Sequence, residues 1–179
     1  ATEEENEERK RREYEVFVGR AIDALRIDYP DILHSPPDYA LYSRDLVAVE
    51  PSGIEMQGLT KYKGILACLH LAAGIFYDPA QSGMTFRVGF DDGWGGIRVS
   101  WHATLVPKSI FSDAPVHFDG ISVYEIDTET GLISRHRIER LYMDSVSVRS
   151  PENGLFDAVA SGSFVAHLEQ VLGHISGTK

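Results

Sequence analysis

The chain has 179 residues, of which 43% are hydrophobic and 25% are charged, as in an ordinary globular protein. This length fits one domain with extensions better than two domains. A formal net charge of -10 repels a phosphate backbone and argues against general nucleic-acid binding. Cys68 is the single cysteine, which excludes an intrachain disulfide framework and a zinc site built from several cysteines.

The N-terminal region predicts one long helix with two different halves. Apolar side chains between residues 14 and 25 fall on one helical face, and Pro30 ends the pattern, so we expect a helix over residues 3–27. Residues 1–13 have no apolar stripe and can pair their own charges at i,i+4, which predicts a solvated, projecting helix. The competing interpretation is a docking surface for an acidic partner, formed by Arg9, Lys10, Arg11 and Arg12.

The middle of the chain changes from helical to strand periodicity. A short strand is expected near residues 46–49, followed by a helix over 60–76 with Thr60 as its N-cap. Strict alternation then predicts four strands joined by hairpin-like links, at residues 84–90, 99–105, 116–126 and 132–141. Consecutive strands favour an antiparallel sheet with helices covering one face, which makes the fold class α+β.

The C-terminal region is predicted to be an extension of the domain. After residue 150 the composition turns to Ser, Gly and Pro, and apolar spacing then predicts a short amphipathic helix with candidate docking residues Phe164, Leu168 and Leu172. A stripe this short does not stabilise itself, so the segment is expected to fold back or to dock on a partner. The predicted organisation is therefore a charged extension at 1–13, a domain at 14–144 and a C-terminal extension at 145–179.

Six segments in order together resemble a SnoaL-like, nuclear-transport-factor-2-like domain of unknown function that occurs mostly in plants, algae and other phototrophs. The matching segments are residues 25–30, 42–47, 57–62, 97–101, 118–124 and 131–137. The resemblance implies a curved antiparallel sheet that the N-terminal helices wrap into a cone. It also implies a plastid setting.

Enzymes of this fold use polar groups inside the cone, so polar residues on the matching strands are candidate pocket residues. The candidates are Tyr42, Trp101, His117, Tyr124, His136 and Arg137. Each also has a structural interpretation, as a core aromatic residue, a hydrogen-bonded histidine or a local ion pair. No nucleophile, base and orienting acid stand together, and no third ligand joins His102 and His117. We therefore expect no catalytic residues, no metal and no cofactor.

These observations favour a non-catalytic protein that works by association through its two terminal helices. The resemblance makes the expected role a peripheral accessory subunit of a photosynthetic membrane complex, such as a photosystem. Photosystem subunits or antenna proteins would be the partners, on the stromal side of the chloroplast thylakoid. A homodimer through the open sheet face is compatible with this role. The alternative is a small-molecule-binding protein, or an isomerase-like or hydrolase-like enzyme, that uses the cone pocket.

No apolar run reaches the roughly 20 residues of a membrane span, and no signal peptide is expected.

Overall fold

The computed structural model describes residues 2–91, 93, 95–111, 114–167 and 169–170. Its helices are α1 (Glu3–Asp28), α2 (Leu59–Phe76) and α3 (Leu155–Ser161). Its strands are β1 (Tyr42–Val49), β2 (Glu55–Gln57), β3 (Gly83–Asp91), β4 (Gly96–Leu105), β5 (Val116–Ile126), β6 (Ile133–Met143) and β7 (Val146–Ser147). Two short 3-10 turns, Tyr29–Asp31 and Tyr39–Leu41, lead from α1 into β1.

The strands form one curved sheet in the order β2-β1-β6-β5-β4-β3, with β7 paired to β6. Every pairing is antiparallel except that of β1 with β6, which is parallel. Breaks in register between Ile121 and Ser122, and between Glu125 and Ile126, locally bend β5 against β6. The predicted fold class is confirmed: a cone-shaped curved sheet is wrapped by helices from the N-terminal half of the chain.

The core lies between the helices and the concave side of the sheet. Val18, Ala21 and Leu25 on α1 are buried against residues of β1, β4, β5 and β6. Residues 2–13 of the same helix are exposed, as the missing apolar stripe predicted. Within the residues that the structure describes, no helix is long and apolar enough to cross a membrane.

The exposed start of α1 is stabilised by local interactions. Thr2 and Glu5 form a capping box, in which each side chain accepts a hydrogen bond from the backbone N–H of the other residue. Glu8 and Arg12 form an i,i+4 ion pair at 3.5 Å. Pairs of this kind stabilise a helix by about 0.2–0.5 kcal/mol.

The start of α2 differs from the prediction. Gly58, not Thr60, is the N-cap residue, and it takes a φ of 100°, which a side chain would strain. Its N–H donates to the carbonyl of Leu46, so the chain is held to β1 immediately before the helix begins. Thr60 therefore lies inside the first turn and is not the cap.

Over its described residues, the C-terminal extension folds back onto the domain. Val148 and Leu155 are buried against Met143 at the end of β6. The carboxylate of Glu50, which is 1% exposed, accepts hydrogen bonds from the backbone N–H groups of Leu155 at 2.6 Å and Phe156 at 3.2 Å. The same carboxylate accepts the Ser52 hydroxyl at 2.7 Å. A single buried carboxylate thus fixes the start of α3.

Candidate functional site

Four tyrosines and one histidine from different parts of the chain meet inside the cone. Together they are called the tyrosine–histidine cluster: Tyr29 after α1, Tyr42 on β1, Tyr62 on α2, Tyr124 on β5 and His136 on β6. The four tyrosines are 3–5% exposed. Tyr124 and His136 are cross-strand partners, and their rings stack at 4.3 Å between centroids with 11° between planes.

Two hydrogen bonds connect the cluster. The phenol oxygen of Tyr62 lies 2.8 Å from Nδ1 of His136, and the phenol oxygens of Tyr29 and Tyr124 lie 2.9 Å apart. The second ring nitrogen of His136, Nε2, is buried and has no hydrogen-bond partner among the described residues. Because buried polar atoms are normally paired, this unpaired nitrogen requires an explanation.

Burial keeps the cluster uncharged. It lowers the pKa of His136 to about 3, because the imidazolium form loses its hydration. Burial also raises the pKa of Tyr29 to about 12 and raises the pKa values of Tyr42, Tyr62 and Tyr124 well above the ordinary range. At neutral pH the imidazole is therefore neutral and the phenols keep their protons.

The tautomer of His136 decides whether Nε2 is a hydrogen-bond donor or acceptor. If the Tyr62 phenol donates to Nδ1, the proton of the neutral ring is on Nε2, which is then a donor. If Nδ1–H donates to the phenol oxygen, Nε2 carries a lone pair and is an acceptor. In both arrangements Nε2 presents one hydrogen-bonding position that the protein does not use, and exchange between the two moves a proton.

Trp101 forms part of the wall of the cone. It packs against the core, and its ring lies over the cross-strand partner Gly120, where a Cβ atom would come within 2.1 Å of the indole. The indole N–H donates to the hydroxyl of Ser122 at 3.2 Å. Gly120 therefore makes room for Trp101, and Ser122 fixes its orientation.

Two of the pocket candidates lie on the opposite, outer face of the sheet. Arg137 alternates with His136 and pairs with Glu125 at 3.2 Å and Glu139 at 3.3 Å. His117 lies 3.3 Å from the hydroxyl of Thr104 through its Nδ1. The structure thus brings Tyr42, Tyr124 and His136 together, with Trp101 on the same side, and separates Arg137 and His117 from them.

The residues predicted to dock on a partner lie in different parts of the structure. The basic cluster at residues 9–12 lies on the exposed first turns of α1. Phe164 packs against the small core around Met143 and Leu155. Leu168 and Leu172 lie outside the described residues.

In the part of the chain that the structure describes, no group of three or more His, Cys, Asp or Glu side chains is arranged to hold a metal ion.

A cleft of about 580 Å³ lies between β2, α2 and α3. Its apolar lining includes Met56, Ile65 and Phe156. Met56 is paired with Ala48, and Ala48 is paired with His136, so the cleft wall is two strand spacings, about 10 Å, from the histidine. Ala48 is the small side chain between them.

Tyr29, Tyr62 and the cleft were not among the site features predicted from the sequence. Tyr62 lies within the helix predicted over residues 60–76, where the apolar spacing alone does not distinguish it. The signal that could have distinguished it is its hydroxyl, because a buried tyrosine normally finds a polar partner. The cleft depends on β2 and α3, which are too short to give a clear periodic pattern.

The sequence matches the family of uncharacterized conserved proteins DUF2358 over residues 19–136, and the chain belongs to this family. This match and the NTF2-like neighbour described next bear out the resemblance to an NTF2-like domain of unknown function. No curated protein matches the chain.

Solved structures from bacteria are similar to this chain at low sequence identity. An NTF2-like protein of unknown function from Exiguobacterium sp. 255-15 is 14% identical, with a TM-score of 0.43, 55% of this chain covered and 75% of that one. A putative scytalone dehydratase from Novosphingobium aromaticivorans is 16% identical, with a TM-score of 0.47 and coverages of 76% and 92%. A putative polyketide cyclase from Xanthomonas campestris is 15% identical, with a TM-score of 0.40 and coverages of 70% and 82%.

These comparisons correct one expectation from the sequence. The protein was expected not to be an enzyme, because no catalytic constellation was visible along the chain. The prediction is wrong on the present findings, since structural neighbours bear the names of a dehydratase and a cyclase. The tyrosine–histidine cluster was not visible along the chain because its members are distant in sequence and meet only in the folded cone.

Proposed function

We propose that this protein binds a small, uncharged organic molecule that enters through the cleft beside α3 and reaches His136, where Nε2 forms a hydrogen bond with it. The observation that carries the proposal is the buried, unpaired Nε2 of His136, whose ring is held from the other side by Tyr62. An unpaired buried polar atom costs about 1–3 kcal/mol. A hydroxyl or carbonyl group of a ligand would recover that cost.

The uncharged state of the tyrosine–histidine cluster supports an uncharged ligand. The tyrosine–histidine cluster contributes no formal charge at neutral pH, so it offers no counterion to a charged ligand. Stacked aromatic rings around His136 favour a planar or aromatic molecule. The substrate class that fits is therefore an apolar molecule with a hydroxyl or carbonyl group.

The size and position of the cleft support the same proposal. Its volume of about 580 Å³ lies within the range of small-molecule sites, which is roughly 300–1,000 Å³. A ligand in the cleft contacts Met56 and Ile65, and one residue of β1, Ala48, stands between Met56 and His136 in the strand register.

The chemistry that this arrangement supports is stabilisation of an oxygen atom on which negative charge develops. A neutral imidazole with its proton on Nε2 donates a hydrogen bond to such an oxygen and stays uncharged throughout, as its lowered pKa requires. The reaction class is thus isomerase-like or hydrolase-like. His136 would be the catalytic residue, and Tyr62 would position it.

The proposal is tested with the uncharged fluorescent probe 6-propionyl-2-dimethylaminonaphthalene, which has a carbonyl group and whose emission shifts to the blue in apolar sites. Ala160 is exposed and lines the cleft, whereas Ala67 is exposed on α2 and does not line it. We expect Ala160→Trp to weaken probe binding about tenfold, or 1.4 kcal/mol, and Ala67→Trp to leave binding unchanged. Equal binding by both variants contradicts the proposed cleft.

Four further proposals rest on the sequence resemblance: a plastid location, the stromal thylakoid surface, photosystem or antenna partners, and a homodimer. They are compatible with a small-molecule site. Native-gel fractionation of gently solubilised source membranes tests them. Co-migration with a large pigment-bearing assembly supports the association, and migration at the mass of one or two chains contradicts it.

A further inference from the structure

A second group of polar side chains lies on the outer face of the sheet, away from the cone. Trp101 packs on the core and Ala103 is buried, so the alternating residues His102 and Thr104 face the other side. On β5, Asp119 is the cross-strand partner of His102, and His117 is the partner of Thr104. Strand register alone therefore brings two histidines, a carboxylate and a hydroxyl together.

The hydrogen bonds in this group form one chain. Nδ1 of His102 lies 2.7 Å from Oδ1 of Asp119. Oγ1 of Thr104 lies 3.4 Å from Nε2 of His102 and 3.3 Å from Nδ1 of His117. The two imidazole rings stack at 5.4 Å between centroids.

One tautomer of His102 gives every hydrogen bond in the chain the same direction. When Nδ1 carries the proton, it donates to the carboxylate of Asp119, and Nε2 has a lone pair that accepts the hydroxyl proton of Thr104. A hydroxyl that donates there accepts from the N–H of His117. This is the order of hydrogen bonds in a nucleophile–histidine–carboxylate triad.

The geometry points to a second reactive centre, in which Thr104 is a nucleophile toward small acyl esters. Thr104 and His102 are the catalytic residues, and Asp119 and His117 are positioning residues. The side chains of His102 and Asp119 are 42% and 51% exposed, so an ester in solution can reach the group. This centre does not depend on the site proposed in the cone, because it lies on the opposite face of the sheet.

The proposed reaction needs no reactant other than Thr104, His102, the ester and water. Oγ1 of Thr104 attacks the carbonyl carbon while its proton moves to Nε2 of His102. The bond between the carbonyl carbon and the leaving oxygen then breaks, and the leaving alkoxide or phenolate takes up that proton. Water attacks the acyl-threonine by the same route, releases the carboxylic acid and restores the hydroxyl.

The test uses p-nitrophenyl acetate and the complete chain, with release of p-nitrophenol followed by absorbance and the acetyl group located by peptide mass spectrometry. We expect one acetyl group on Thr104 in samples that are quenched with acid before water has hydrolysed the acyl-threonine. Thr104→Val should remove that modification, and His102→Asn should slow it on the order of 100-fold. Circular dichroism checks that each variant remains folded.

Matched variants separate this chemistry from background reactions. Thr85 is exposed and is the cross-strand partner of His102 on β3, so Thr85→Val repeats the same substitution without touching the chain of hydrogen bonds. His70→Asn removes an imidazole that binds the carbonyl of Ile32 instead. Both variants should react like the original protein.

The contribution of Asp119 is measured separately, by the acylation rate constant and the KM of its variants. Asp119→Asn should lower the acylation rate constant and leave the KM for the ester unchanged, whereas Asp119→Glu should recover part of the rate. Acetylation at lysines alone, or an undiminished reaction at Thr104 in His102→Asn, would overturn the proposal.

Discussion

The phenol of Tyr62 on α2 and Nδ1 of His136 on β6 are joined by a hydrogen bond of 2.8 Å. This contact connects the helix layer to the sheet at the centre of the cone. It also fixes the orientation of the imidazole, whose other nitrogen is left buried without a described partner. The proposed function follows from that asymmetry between the two ring nitrogens.

Burial of His136 makes the stability of the protein depend on pH. The histidine titrates near 6.5 in the unfolded chain and near 3 in the folded protein. Between these values the unfolded state binds more protons, so stability is lost as the pH falls from about 6.5 to about 3, by up to about 1.4 kcal/mol per pH unit. Urea unfolding at constant ionic strength should show a shallower pH dependence for His136→Phe in this window. Equal slopes for the two proteins contradict the lowered pKa.

Tyr62→Phe removes the phenol oxygen and leaves both nitrogens of His136 without a described partner. We expect the free energy of unfolding to fall by about 1–3 kcal/mol in guanidinium titrations. Tyr39→Phe is the matched control, because Tyr39 is only half-buried and its hydroxyl has no described hydrogen bond. A similar loss in both variants would show that the hydrogen bond to His136 contributes nothing specific.

Glu50→Ala should release the start of α3. The substitution removes the acceptor of three hydrogen bonds and leaves the amides of Leu155 and Phe156 buried or partly buried without it. A loss of about 3 kcal/mol is expected. Hydrogen exchange should accelerate at these two amides more than in the central strands. Glu152→Ala, at an exposed position before α3, should change neither quantity.

Gly120→Ala tests the packing of Trp101. The new methyl group would lie within 2.1 Å of the indole, so the ring has to move and the structure should lose about 1–3 kcal/mol. Gly89→Ala, on β3, is the control, because nothing lies within 4 Å of a Cβ atom there. Thermal unfolding of the two variants should differ clearly. If Gly120→Ala is tolerated as well as Gly89→Ala, the indole does not lie over Gly120 in solution.

Local patterns predicted most of the elements. The helix expected over residues 3–27 is observed as Glu3–Asp28, and the strand expected over 116–126 has those bounds. By contrast, β2 has three residues and β7 has two, which is too short for periodicity to appear. The parallel pairing of β1 with β6 was also missed, because it joins segments far apart in the chain and depends on the closed core.

The site was harder to predict than the fold. Tyr124 and His136 were identified as candidates from their strands, but Tyr62 lies 74 residues before His136 and only the packing of α2 brings the two together. His117 and Arg137 were grouped with them although alternation places their side chains on the outer face. Whether a ring nitrogen has a partner depends on every element around it, so no local pattern predicts it.

The most direct measurement is a nuclear magnetic resonance titration that follows the two side-chain nitrogens of His136 while the carbonyl-bearing probe 6-propionyl-2-dimethylaminonaphthalene is added. The site described above predicts that the Nε2 resonance shifts most, that Nδ1 changes less because Tyr62 keeps its hydrogen bond, and that Ala160→Trp suppresses both changes. Probe binding with both His136 resonances unchanged would contradict the central claim, because the ligand would then lie away from the buried histidine.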